Sequence, residues 1–236
     1  MDVNATRATY EIQFGNVERE TTNNYSWDTA KFEACGHKWA DLSENSSGVS
    51  LLNDCKYGYS IKKGDMSLTL IKSGTYPNED ADIGEHRFTY SIYPHAGRWQ
   101  EAKTVEMAYN LNVPMPVKRI GKQKGCGEEY DSFLHCDKES CFIEVIKKAE
   151  DGDGVIVRMY ENKNNRVRAH ITSGRALVHV YECNLLEEKE DPAFYGKALI
   201  YADRQIQLQP EAYYYVERGL LHMACAYYCR AVHDFE

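Results

Sequence analysis

Proline is scarce, with 6 in 236 residues, and no apolar run approaches the roughly 18 residues that a membrane-spanning helix requires. A membrane anchor is therefore not expected. The opening residues Met1-Asp2-Val3-Asn4 lack the charged and apolar segments of a secretory leader. The chain reads as soluble and cytoplasmic, and on that reading the triplets beginning at Asn4, Asn24 and Asn45 carry no glycan. Positive charge is also short: 28 Lys and Arg against 36 Asp and Glu leave a net charge of −8. Binding that tracks phosphates needs clustered cations to displace counterions, so nucleic acid is excluded as an expected partner. The one basic cluster, Lys118-Arg119 with Lys122 and Lys124, lies among glycines and polar residues and reads as a solvated linker. None of the eight cysteines shows the paired two-residue spacing of a tetrahedral zinc site. No metal ligands are assigned, and buried free thiols are expected. Asp151-Gly152-Asp153-Gly154 lacks the ligand alternation and closing Glu of a helix-loop-helix calcium site, and reads as a plain turn.

What is present is the material of a folded protein, 43% hydrophobic and 27% charged. Tyr10, Ile12 and Phe14 alternate with Glu11 and Gln13, the period of a strand with one buried face. The alternation returns at Leu68 and Leu70 and at Phe88, Tyr90 and Ile92, with turn-forming residues between. Residues 100–112 fit a short helix or an extended connector, and Pro114 and Pro116 mark a break. Beyond it, Phe142 to Ile146 and Val155 to Tyr160 flank the Asp-Gly turn as one hairpin. Val167, Ala169 and Ile171 with Val178 and Val180 suggest a second. From Pro192 the period changes. Phe194, Ala198, Ala202 and Ile206, then Val216, Leu220, Met223, Tyr227, Ala231 and Phe235, give two helical stripes interrupted by Pro210, with Cys225 and Cys229 sharing a face. The expected fold is mainly β: an antiparallel β-sandwich over 1–117, a linker over 118–127, a small β-module over 128–190 and a short α-helical pair over 191–236.

Two stretches carry a resemblance. His37-Lys38-Trp39-Ala40-Asp41-Leu42-Ser43-Glu44 and Gly48-Val49-Ser50-Leu51-Leu52-Asn53-Asp54-Cys55-Lys56-Tyr57-Gly58-Tyr59 resemble the C-terminal β-domain of glycoside hydrolase family 38 α-mannosidases, in the branch containing bacterial and cytosolic enzymes. The likeness continues through Tyr93-Pro94-His95 and Ala108-Tyr109-Asn110-Leu111-Asn112. It resumes at Ile146 to Asp151, Val157 to Glu161 and Cys183 to Glu188, covering roughly residues 7–190. In the tail, Gln207-Leu208-Gln209-Pro210, Arg218-Gly219-Leu220 and Arg230-Ala231-Val232 resemble a tetratricopeptide repeat.

The family resemblance implies retaining hydrolysis of terminal α-mannosyl groups by a zinc-dependent site. The family's nucleophile and its Asp and His zinc ligands belong to an N-terminal α/β domain, and no position here receives them. The chain is therefore expected to be a non-catalytic portion, without a cofactor of its own, that packs on a separate catalytic domain and shapes its cleft for mannosyl oligosaccharides. Trp39, Asp41, Asn53, Asp54 and Tyr57 are the expected carbohydrate-facing residues, because rings stack on apolar sugar faces while amides and carboxylates orient hydroxyls. Acidic pairs such as Asp41 with Glu44 read as loop carboxylates. The alternative is a protein-interaction module using the C-terminal helices.

Overall fold

The computed structural model describes residues 2–122, 125, 132–174, 177, 179–189, 213–217 and 227–232, the last two segments by backbone alone. The chain divides into two compact units, residues 1–119 and 120–236.

In the first unit the elements run β1 (Arg7–Ile12), β2 (Gly15–Glu20), α1 (Ser26–Ala30), β3 (Ala34–Cys35), β4 (Trp39–Ser43), β5 (Ser47–Asn53), β6 (Gly58–Lys62), β7 (Asp65–Leu68), β8 (Tyr90–Ala96) and α2 (Thr104–Asn112). Five strands form an antiparallel sheet in the order β2-β1-β4-β5-β8, and three form a smaller one, β3-β6-β7. The register Tyr10↔Ala40, Ala40↔Leu51 and Leu51↔Ile92 sets these side chains on one face. Ala8, Tyr10, Ala40 and Leu42 of that face bury against Tyr59 and Ile61 of the smaller sheet, with Leu51 at the margin. The smaller sheet stops there. On the edge strand β8 the same face continues as Tyr90, Ile92 and Pro94, all exposed, with Ile92 at 66%.

The opposite face carries Trp39 and Leu52, which pack with Trp99 and with Val105 and Ala108 of α2. This second cover explains why Glu11 is buried together with Tyr10, where alternation suggested a single buried face. The cost of enclosing Glu11 is offset by Lys38, whose Nζ lies 2.8 Å from Glu11 Oε1 and whose backbone N donates to Oε2 at 2.6 Å. Residues 104–112, left open between helix and connector, form α2.

Tyr59 fills the middle of this sandwich. Its hydroxyl donates to His37 O at 2.9 Å, and burial pushes the phenol well above the ordinary tyrosine range. Burial also raises Tyr10, against the pull of Arg19. Between the unfolded value of about 10 and the raised folded values, the unfolded chain loses these protons while the native state keeps them. Stability is therefore fully present below pH ~10 and declines above it. A phenolate absorbance titration checks this: Tyr10 and Tyr59 stay silent until the unit unfolds.

The second unit contains β9 (Leu134–Cys136), β10 (Cys141–Lys148), β11 (Val155–Glu161), β12 (Arg168–Ser173), β13 (His179–Cys183), β14 (Tyr213–Glu217) and β15 (Tyr227–Val232). β10 and β11 pair as the expected hairpin, turning at Gly152 and Gly154, whose φ values of 83° and 109° suit glycine. The second expected hairpin does not form. β12 pairs with β9 and β14, whereas β13 pairs with β15 in the sheet β10-β11-β15-β13. Alternation marks which side chains point inward, and it is silent on which strand lies alongside. Met159, Ile171 and Leu177 join the two sheets in one core, so β12 and β13 are opposed across it.

The helical reading of the tail is corrected where the tail is described. Residues 213–217 and 227–232 are strands, so Cys229 lies in a strand and a helical peptide groove is not formed by these segments. Tyr213-Tyr214-Tyr215-Val216 and Tyr227-Tyr228 are strong strand formers, and partners on β11, β12 and β13 override a helical spacing that the same residues also satisfy. The expected first helix over 192–210 lies outside the described residues.

Candidate functional site

Five residues were expected to face carbohydrate, and the fold separates them. Trp39, Asp41 and Asn53 are each 1% exposed. Trp39 packs on Trp99 with centroids 4.9 Å apart and the rings tilted by 40°, and its burial leaves neither face of the ring open to a sugar. Asp41 is enclosed beneath Thr104: its Oδ2 accepts from Ser50 Oγ at 2.7 Å and lies 2.8 Å from His95 Nε2, while Ser50 Oγ is 2.8 Å from Thr104 Oγ1. For these two the structure corrects the expectation, because sheet burial takes the residues that the motif makes conspicuous. Glu44 accepts from Asn4 N and Ser46 Oγ, a local loop role, and does not join Asp41 over a cleft.

Asn53 acts from beneath the surface. Its Nδ2 donates to His37 O at 3.0 Å and to the Tyr59 hydroxyl, and its Oδ1 accepts from Cys55 N at 3.1 Å and Lys56 N at 2.5 Å. An Asn at a strand end folds the following backbone onto its own carbonyl in this way. The loop so fixed projects Asp54 and Tyr57 outward, with Tyr57 57% exposed.

These two line a cavity of about 260 Å³ with His37, Lys38, Asn53, Cys55 and Asn112. Tyr57 meets His37 edge-to-face, with centroids 5.5 Å apart. Burial lowers the His37 pKa, with Lys38 adding to the effect, so the ring is held neutral at physiological pH. Thr89 N donates to Asp54 Oδ1 at 2.9 Å, and that bond, with one from Cys55, holds the Asp54 carboxyl below the usual range. Asn112 donates from Nδ2 to Asn53 O at 2.9 Å and to Ala108 O at 2.8 Å, tying α2 to the cavity floor. Lys38 Nζ sits 4.6 Å from the Tyr109 ring centroid. The result is a small polar recess with one exposed aromatic ring, a carboxylate and a neutral imidazole, a set suited to orienting hydroxyl groups. His37, Lys38 and Asn112 were not singled out in the sequence. Asn112 reaches the site from 59 residues away through the packing of α2, which no local pattern reports.

Among the described residues no three of His, Cys, Asp or Glu are placed to hold a metal ion, so these side chains do not fit a catalytic zinc cage.

The model of the glycosyl hydrolases family 38 C-terminal domain matches residues 1–80, and that of the family's C-terminal beta sandwich domain matches residues 141–211. The chain is 44% identical over 190 residues to Alpha-mannosidase G of Dictyostelium discoideum, covering 79% of this chain and 18% of that protein. It is 37% identical over 194 residues to Alpha-mannosidase 2C1 of Homo sapiens, covering 81% of this chain and 18% of the human protein. An alpha-mannosidase structure from Enterococcus faecalis V583 superposes with a TM-score of 0.72 at 16% identity, covering 96% of this chain and 24% of that one, which shows a shared fold. The chain thus spans about a fifth of the length of its curated relatives. With one domain model on each unit and this identity between them, the chain belongs to glycosyl hydrolase family 38 and comprises that family's C-terminal β-domains.

Proposed function

We propose that the chain is the non-catalytic C-terminal portion of an α-mannosidase, of the branch containing bacterial and cytosolic enzymes, and that it packs on the catalytic domain and shapes its cleft. The observation that carries this reading is the apolar face of β8. Tyr90, Ile92 and Pro94 extend a face whose remainder is buried, and they stand exposed beyond the smaller sheet. Apolar surface left at the end of an otherwise packed face marks a docking surface. The catalytic domain is its natural cover, because the curated relatives are more than five times longer than the matched region, which is 18% of each. On this reading zinc and the reacting carboxylates reside on that domain, and the Asp54–Tyr57 recess borders mannosyl oligosaccharide bound there. The free thiols of Cys35, Cys55, Cys136 and Cys141, two of them exposed, suit a reducing compartment and support a cytosolic reading.

The test is a chimera in which this chain replaces the matching part of Dictyostelium Alpha-mannosidase G. Ile92→Glu is expected to lower chromogenic α-mannoside turnover at least tenfold through loss of the interface, since a buried unpaired carboxylate costs several kcal/mol, about the full strength of such a contact. The same substitution leaves the melting temperature of the isolated chain nearly unchanged. Tyr57→Ala is expected to raise KM several-fold with little change in kcat. Full turnover and unchanged KM in both variants would overturn the proposal.

A further inference from the structure

The junction of β9 and β10 brings together two cysteines that had no assigned purpose. Cys136 ends β9 and Cys141 opens β10. The turn between them is pinned by three backbone bonds: Cys141 N to Lys138 O at 3.1 Å, Asp137 N to His170 O at 3.0 Å, and Asn162 N to Ser140 O at 2.8 Å. Both side chains pack on the core of Met159, Ile171 and Leu177. From the two arms of that turn both thiols reach the same cluster, and each is partly exposed.

We propose that Cys136 and Cys141 are a redox modification site, oxidised by hydrogen peroxide or an organic hydroperoxide to an intramolecular disulfide that links β9 to β10. The Cys136 thiolate attacks a peroxide oxygen and the O–O bond breaks, giving a sulfenic acid and, once protonated, water or the alcohol. Cys141 sulfur then attacks the sulfenic sulfur, the S–O bond breaks, and the departing hydroxide takes the Cys141 proton to leave as water. Two thiols give up two electrons and the hydroperoxide accepts them, so the balance closes with no further reactant.

The environment assigns the roles. The neighbouring Cys141 holds the Cys136 thiol down to about 7, with a further contribution from the Lys138 backbone and against the effects of burial and Asp137. Cys136 in turn, with burial and the charge of Glu161, pushes Cys141 up, against Ser140. Cys136 is therefore the thiol that ionises first as pH rises, and Cys141 retains the proton that the second step requires. Both side chains already meet one core cluster at the ends of a short turn, so bond formation asks for little movement of a backbone that both sheets hold in place.

Trypsin cleaves after Lys138, between the two cysteines, so the disulfide would join peptide 125–138 to peptide 139–147. The full chain is treated with hydrogen peroxide at pH 7, alkylated and digested. The expected result is that linked pair, removed by dithiothreitol, forming at least tenfold faster than Cys55 is oxidised, because Asp54 raises the exposed Cys55 thiol. Cys126 shares the first peptide, so Cys126→Ser must retain the link while Cys136→Ser and Cys141→Ser abolish it. A link that survives Cys136→Ser, or thiols at 136 and 141 that oxidise no faster than Cys55, would overturn the assignment.

Discussion

Trp39→Ala is expected to destabilise the first unit by about 3–5 kcal/mol, the range for deleting a large buried aromatic whose surroundings relax only partly. Trp39 touches Trp99 and the floor provided by Val105 and Ala108, so it is the centre of the apolar contact between the sheet and α2, beside the polar ties of Thr104 and Asn112. Its indole N–H finds no hydrogen-bond acceptor among the described residues. The substitution Trp39→Phe, which keeps an aromatic ring and removes only that N–H and some volume, should therefore cost far less than Trp39→Ala. Urea unfolding followed by circular dichroism compares them. Equal losses for Phe and Ala would show that ring packing at this position does not hold α2 in place.

Asn53→Ala is the second large effect, with an expected loss of about 2–4 kcal/mol, since it removes several hydrogen bonds at once and leaves buried partners unmatched. His37 O keeps the Tyr59 hydroxyl, whereas Cys55 N and Lys56 N lose the acceptor that curls the loop. The consequence reaches the recess, because Asp54 and Tyr57 are aimed by that curl. In the mannosidase chimera Asn53→Ala should reproduce the KM increase of Tyr57→Ala in addition to its own instability, while Asp54→Ala should leave stability almost untouched. Denaturation and steady-state kinetics on the three variants separate support of the loop from contact with sugar.

The contrast between these two residues shows where sequence is informative. Alternation and turn residues place β1, β8, β10, β11, β12 and β13 in outline, because a strand half-covered by a core leaves a two-residue period in its side chains. The motif from His37 to Tyr59 contains the loop that lines the recess. It overstates the site because polar and aromatic residues inside a strand look identical whether they face ligand or are enclosed by a third layer. Trp39 and Asp41 are enclosed by α2 and the Trp99 loop, elements 50 or more residues away in the chain. Asp54 and Tyr57 lie past the end of β5, where no layer covers them. Pairing is likewise a long-range property: β12 and β13 satisfy a hairpin pattern, yet each finds its neighbour elsewhere. In the tail, tyrosine and valine at 213–216 serve either period, and the available sheet edges decide.

Edge strand β8 pairs with β5 on one side and, among the described residues, with no strand on the other. Such a margin invites a second molecule to continue the ladder, which is how many β-proteins aggregate. Pro94 stands in the middle of it, and a proline at a sheet margin has no N–H to give an arriving strand. The margin can thus accept a partner that lays side chains on Tyr90 and Ile92, but it resists growth of the sheet into fibrils, so the same stretch is adhesive through its surface and guarded along its backbone.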